Sequence, residues 1–179
     1  MADPHPRWTL QGPNLAITES PVAVSILRLH RDETSLTDEL SKAFGLTWPI
    51  VPNTVAGDVV RVAWLAPGEW AIFQPAEEIV AQVKQVCSGH LHHLADISAS
   101  RRLWRVRGAH SRALIAKGCS LDTHPKAMSA EQCAQTVFAQ TSILLVAQAT
   151  SNAFDIVADA SFAGHLRAWF ADAAKELLQ

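Results

Sequence analysis

Apolar positions recur with two periods along this chain, and each period marks its own kind of element. Residues 22–29 are rich in β-branched and aliphatic side chains and predict a strand. Ser35 opens a predicted helix, with Asp38 as its capping-box partner and Gly45 just past its end. Residues 48–57, with Pro49, Pro52 and Asn53, read as a loop. Strands follow at 59–65 and 69–73, joined by a Pro67-Gly68 turn signal. Pro75 leads into a helix whose Ile79, Val80, Val83, Val86 and Cys87 share one face. Its first turn carries Glu77 and Glu78, at the positive end of the helix dipole.

The second half follows a similar plan. Strands are predicted at 91–97 and 101–107, then a helix over 109–117 that stops at Gly118. Three short strands come next, at 133–139, 143–148 and 153–157. The last helix, 161–178, presents Phe162, Leu166, Trp169, Phe170, Ala173 and Leu177 as one stripe. WLAPGEWAIFQPAEEIVAQV (64–83) and AQATSNAFDIVADASFAGHL (147–166) both read strand, turn, strand, helix. The class expected is α+β, with mostly antiparallel sheets, packed helices and two pseudo-repeated halves. Residues 1–14, holding Pro4, Pro6 and Pro13, are expected to form a flexible tail. Residues 15–179 are expected to form a single domain built of halves at about 15–90 and 91–179.

Composition narrows the function. Apolar residues make up 49% of the chain, ample for a core, while charged residues are 18%, below the roughly 25% of soluble domains. So thin a charge coat suggests that a partner covers part of the surface. A net charge of −2 and a pI near 6.4 argue against nucleic acid, which needs a basic surplus. No apolar run nears the ~20 residues of a membrane span. The polar, proline-rich start lacks the apolar core of a secretory signal. Cys87, Cys119 and Cys133 are odd in number and far apart, so they read as buried small hydrophobes. A soluble, cytoplasmic domain is expected.

The chemistry that is missing is informative. The eight glycines never fall closer than ten positions apart, which removes the dinucleotide and P-loop phosphate cradles. HExxH, CxxC and GxSxG are absent as well. Cys87, His90, His92 and His93 form the one dense set of potential zinc ligands. A strand starting at residue 91 sends His92 and His93 to opposite faces, so the other reading is a polar turn. Asp122 beside His124 and Pro125 could move a proton or simply cap a turn. Arg101, Arg105 and Arg107 share one face of a strand whose other face holds Trp104 and Val106, with Arg102, Arg112 and Lys117 nearby. These three arginines are the candidate partner-docking residues, for an acidic surface or an anion; the other reading is a solvated face with local ion pairs. Neither a catalytic nor a cofactor-binding residue is assigned. The six tryptophans read as core and interface mass.

From Leu103 onward the chain resembles the gamma subunit of heterotetrameric sarcosine oxidase. The resemblance rests on AKGCSLDTHPKAM (116–128), CAQTVFAQ (133–140) and AFDIVADASFAGHLRAWFADAA (153–174), with KGC-x-LD-x-HP as its strongest part. WLAPGEW (64–70) is also similar, whereas the first 50 residues match little. DISASRRLWRVRGAHSRALIAKG (96–118) further resembles a segment of the folate-binding domain of glycine-cleavage T proteins. In those enzymes the strand equivalent to QTVFAQTSILLVA (135–147) carries a catalytic aspartate, and here Ile143, Leu144, Leu145 and Val146 stand there.

The resemblance therefore implies a folate-binding-domain-like fold without its chemistry. The family's complex demethylates sarcosine to glycine with oxygen, releasing peroxide, and the one-carbon unit passes to tetrahydrofolate or leaves as formaldehyde. Flavins, nicotinamide dinucleotide (NAD), tetrahydrofolate and zinc are expected in alpha, beta and delta partner subunits, and no cofactor in this chain. Self-association of the isolated chain is a further expectation. The rivals are a stand-alone folate-binding or chaperone-like protein of one-carbon metabolism, and a small zinc protein built on Cys87 to His93.

Overall fold

The computed structural model describes residues 7–30, 35–148 and 152–178. Strands β1 (Trp8–Gln11), β2 (Ala16–Pro21) and β3 (Val24–Leu29) precede helix α1 (Leu36–Phe44). Strands β4 (Val55–Ala56), β5 (Arg61–Ala66) and β6 (Glu69–Phe73) lead to α2 (Glu77–Val86) and β7 (His92–Asp96). Strand β8 (Arg101–Arg107), helix α3 (Ser111–Gly118) and strands β9 (Cys133–Phe138), β10 (Thr141–Ala147) and β11 (Ala153–Asp159) come next, and α4 (Ala163–Ala173) is the last helix. The fold is α+β with antiparallel sheets, and the chain divides into two units.

One unit comprises residues 1–22 and 99–179. Its six-stranded sheet runs β1-β2-β8-β11-β10-β9, antiparallel throughout. Alternation decides the core: Ile17, Trp104, Val106, Phe154, Ile156, Ile143 and Leu145 all lie within one buried cluster. Leu114 and Ile115 of α3 and Leu166 and Phe170 of α4 complete that cluster. Gly118, at the end of α3, sits where a Cβ would meet Phe138 and Trp169 at 2.8 Å each.

Residues 23–98 form the other unit. Its five strands run β4-β5-β6-β3-β7, also antiparallel. Leu36 and Leu40 of α1 and Val83 of α2 pack with Leu27, Leu29, Val62, Trp70 and Ile72. Gly45 closes α1 in the left-handed conformation at φ 61°, as its position past the apolar stripe predicts. Ser35 does precede α1, but no side chain caps it; the Asp38 N–H goes to the Ser35 carbonyl at 3.2 Å.

Several boundaries differ from expectation. Of the expected tail, residues 1–6 lie outside the described residues, while Trp8–Gln11 form β1. Trp8 and Leu10 alternate toward the core, and Trp8 stacks on Phe170 with centroids 6.4 Å apart. The expected halves, 15–90 and 91–179, give way to a discontinuous division, because β2 pairs with β8 and β7 pairs with β3. The final helix ends at Ala173 rather than 178, and Phe162, in the 3-10 turn before it, is 44% exposed.

Gly118→Ala is expected to destabilise the protein by about 1–3 kcal/mol, because a methyl group there has to displace two aromatic rings. Chemical denaturation of the variant measures it.

Candidate functional site

Strand β8 carries Arg101, Arg102, Arg105 and Arg107 through the interior of the six-stranded sheet, between β2 and β11. Ladder register places Asp159 directly opposite Arg101 and Asp155 directly opposite Arg105. Arg101 Nη1 donates to Asp159 Oδ2 at 3.0 Å. Arg105 is held by both oxygens of Asp155, Nε to Oδ1 at 2.7 Å and Nη2 to Oδ2 at 3.0 Å. The same carboxylate accepts from Gln148 Nε2 at 2.5 Å and is 5% exposed. These bonds raise the Arg105 pKa, with desolvation opposing them. Asp159 lies below the usual carboxylate range, chiefly through hydrogen bonds from Ser161 and then through Arg101. Arg107 has Ala153 and Ala16 across the ladder, and among the described residues no acid pairs with it. Of the three candidate docking residues, two are thus engaged within the sheet and only the exposed Arg107 is open to an outside anion.

On the opposite face of the sheet lies a second charged cluster, one not singled out from the sequence. Glu19 of β2 is 0% exposed. Arg167 of α4 grips it with Nε to Oε2 at 2.5 Å and Nη2 to Oε1 at 3.0 Å, and Arg102 Nε stands 4.0 Å from Oε1. The bonds to Glu19 raise the pKa of Arg167. A carboxylate held at both oxygens by guanidinium is poorly suited to proton transfer, so this cluster reads as a strand-to-helix clamp. Its one signal in the sequence was parity: Glu19 lies two residues after Ile17, on the core-facing side of the strand.

The remaining candidates separate in space or in role. Cys87 caps the end of α2 and is fully buried, and burial, with a smaller contribution from Glu39, pushes its thiol up to about 11. His92 and His93 are successive residues of β7, and the His92 Nδ1 contacts the His90 carbonyl at 2.9 Å. Among the described residues no three His, Cys, Asp or Glu side chains are grouped to hold a metal. Asp122 accepts from the His124 N–H at 2.8 Å, and His124 Nδ1 accepts from the Lys126 N–H at 3.2 Å. That pattern is a capped turn. Strand β10, TSILLVA, has no carboxylate, and Ile143, Leu145 and Val146 are buried.

Comparison with known proteins places this geometry. The sarcosine oxidase, gamma subunit family matches residues 30–176. The chain is 29% identical over 140 residues to sarcosine oxidase subunit gamma of Corynebacterium sp. (strain P-1), covering 76% of this chain and 68% of that one. The corresponding subunit of Arthrobacter sp is 25% identical over the same coverage. Among solved structures, the heterotetrameric sarcosine oxidase from Corynebacterium sp. U-96, in complex with pyrrole 2-carboxylate, superposes with TM-score 0.83 at 24% identity, over 96% of this chain and 89% of that one. The glycine cleavage system aminomethyltransferase T from Bartonella henselae superposes with TM-score 0.65 at 11% identity, over 89% of this chain and 46% of that one. The shared fold is thus that of both enzymes' chains.

Arg167→Ala is expected to cost about 3 kcal/mol, because it strands the buried Glu19 carboxylate. Removing both partners as Glu19→Leu with Arg167→Leu is expected to recover most of that loss, as read by urea denaturation. Cys87, Cys119 and Cys133 are all buried and free, so the native protein is expected to show no fast thiol toward a disulfide reagent at about pH 8. Because the Cys87 proton is held up to about 11 against an ordinary 9.0, the folded state binds it more tightly than the unfolded chain. Its contribution to stability is complete below about pH 9 and falls as pH rises toward 11, which unfolding curves across that range measure.

Proposed function

The chain belongs to the sarcosine oxidase gamma subunit family, and on that premise we propose that it acts as the non-catalytic accessory subunit of a heterotetrameric sarcosine oxidase. The observation that carries this reading is the family match across residues 30–176. The assembly performs the oxidative demethylation of sarcosine to glycine: oxygen is reduced to peroxide, and the one-carbon unit passes to tetrahydrofolate. Alpha, beta and delta subunits are the partners, and they hold the flavins, NAD, folate and zinc. Buried charges that are already paired, Asp155 with Arg105 and Glu19 with Arg167, support a structural role for this chain. Arg107 is left as the docking contact among the three arginines. Among the described residues no helix is long and apolar enough to cross a membrane, and a cytoplasmic location fits the oxidoreductase assembly.

The physical task of such a subunit is to bury surface against larger chains, at an interface above about 2,000 Å² for a permanent complex. The likeness in fold to the aminomethyltransferase favours one rival, a stand-alone folate-binding or chaperone-like protein. Against it stands β10, where Ile143, Leu144, Leu145 and Val146 offer no acid to a pterin or an amine.

Co-expression of the tagged chain with alpha, beta and delta subunits tests the proposal. The expected product is a yellow, stoichiometric complex that releases peroxide when sarcosine is added. A chain that elutes alone and colourless overturns the subunit reading, and titration with tetrahydrofolate then tests the rival.

A further inference from the structure

Between Asp96 and Asp122 the chain carries Arg101, Arg102, Arg105, Arg107, Arg112 and Lys117, with no Asp or Glu among them. Acids from distant parts of the sequence meet most of these charges: Asp159 for Arg101, Glu19 for Arg102, Asp155 for Arg105 and Glu176 for Lys117. Arg107 ends β8 and Arg112 stands in the first turn of α3. Among the described residues no acid pairs with either of them.

Arg112 is the sharper case. Its Nε and Nη1 are closed off from solvent and have no hydrogen-bond partner among the described residues, although the residue keeps part of its surface outside. The guanidinium instead lies over the Phe154 ring, 5.0 Å from its centroid. A ring face attracts a cation, but it offers none of the oxygen acceptors that guanidinium N–H groups take in their own plane. Covered, unanswered N–H groups on a permanent charge weaken a fold. The surrounding turn lacks acceptors too. Helix α3 starts without a side-chain cap and with no acid in its first turn. The carbonyls of Asn14 and Gly108 accept from the His110 and Ser111 N–H groups, which leaves those of Arg112 and Ala113 as open helix donors. Ser111 is 0% exposed, and its Oγ has no partner among the described residues. Each of these unanswered groups can donate a hydrogen bond, and the complement of such a turn is an anion.

We infer that the first turn of α3 receives, through Arg112, an Asp or Glu side chain from a different subunit of the assembly. This rests on the accessory-subunit reading, which supplies the different subunit. Charge complementarity selects the occupant. The exposed Arg107 adds a second unpaired positive charge where β8 ends, and the positive end of a helix favours an acid. A guanidinium turned off the Phe154 ring grips both oxygens of a carboxylate in two parallel bonds. Its weak hydration makes it a suitable cation to bury between subunits. The stack on Phe154 is then the resting place of the side chain before the acid arrives.

The test uses the co-expressed four-chain complex and, beside it, the isolated chain. Arg112→Met removes the charge and keeps an apolar side chain that packs well on an aromatic ring. In the isolated chain the variant is expected to melt level with the wild type or above it, since no hydrogen bond is lost. Its incorporation into the complex is expected to fall by about tenfold or more, with Arg112→Lys between the two. A photo-crosslinking phenylalanine at the exposed position 113 is expected to join a different subunit at a peptide containing Asp or Glu. Wild-type incorporation by Arg112→Met overturns the inference, as does a crosslink confined to this chain. A thermal midpoint well below the wild type in the isolated variant also overturns it, because the guanidinium then serves the chain's own fold through Phe154. These three outcomes leave the subunit reading standing. If the wild-type chain itself fails to assemble, the subunit reading falls and this inference falls with it.

Discussion

Four arginines on one interior strand set the electrostatic terms for the larger unit. A guanidinium does not shed its proton at any physiological pH, so β8 can pass through the sheet only if each charge meets an acid or reaches water. Asp155 and Asp159 come from β11 and stand directly across the ladder from Arg105 and Arg101. Glu19 comes from β2 on the other side and stands near Arg102. The third acid is itself buried and needs more than Arg102 at 4.0 Å, and α4 supplies Arg167 at 2.5 Å. The acids that answer β8 thus come from both neighbouring strands, and one of them draws the last helix onto the sheet.

Much of this architecture could be read from local patterns. Strands β6 and β8 occupy the residues that their alternation marks, and α2 begins where Glu77 and Glu78 place it. Local pattern does not reveal long-range pairing, which is why the halves drawn at residue 90 did not match the units. Strand β7 follows α2 in the chain yet completes the sheet with β3. Prolines obscured β1: Pro4, Pro6 and Pro13 suggested a tail, although the Trp-Thr-Leu-Gln run between them alternates as a strand should. Parity assigned Arg101, Arg105 and Arg107 to one face, but it could not say that Asp159 and Asp155 lie opposite the first two. That information resides in the register of two strands about fifty residues apart.

A surface argument built on charge alone therefore leaves out the ion pairs that two of these arginines make within the sheet. Ion pairs within the sheet consume Arg101 and Arg105, and paired charges lend an interface little affinity once solvent screening is counted. Ile50 and Val51 were read simply as loop residues, since Pro49, Pro52 and Asn53 dominate that stretch, whereas Val59 was read as the start of a strand and stands exposed before β5. Their exposure cannot be seen in sequence.

Buried ion pairs seldom add net stability, because desolvation offsets the attraction. Their use here lies in register. A slip of β8 by one residue would turn Arg101, Arg105 and Arg107 into the apolar cluster and expel Trp104 and Val106 from it. It would also leave Asp155, 5% exposed, without its bidentate partner. The wrong pairing thus combines buried unpaired charge with lost apolar burial, a penalty that an all-aliphatic strand could not impose. Strand β10 has the opposite problem, since its Ile-Leu-Leu-Val run is tolerant of slippage by itself. It takes its alignment from β11, which the arginines of β8 have already fixed. Charge paired between β8 and β11 therefore bears on the register of β10, one strand further along, which carries none.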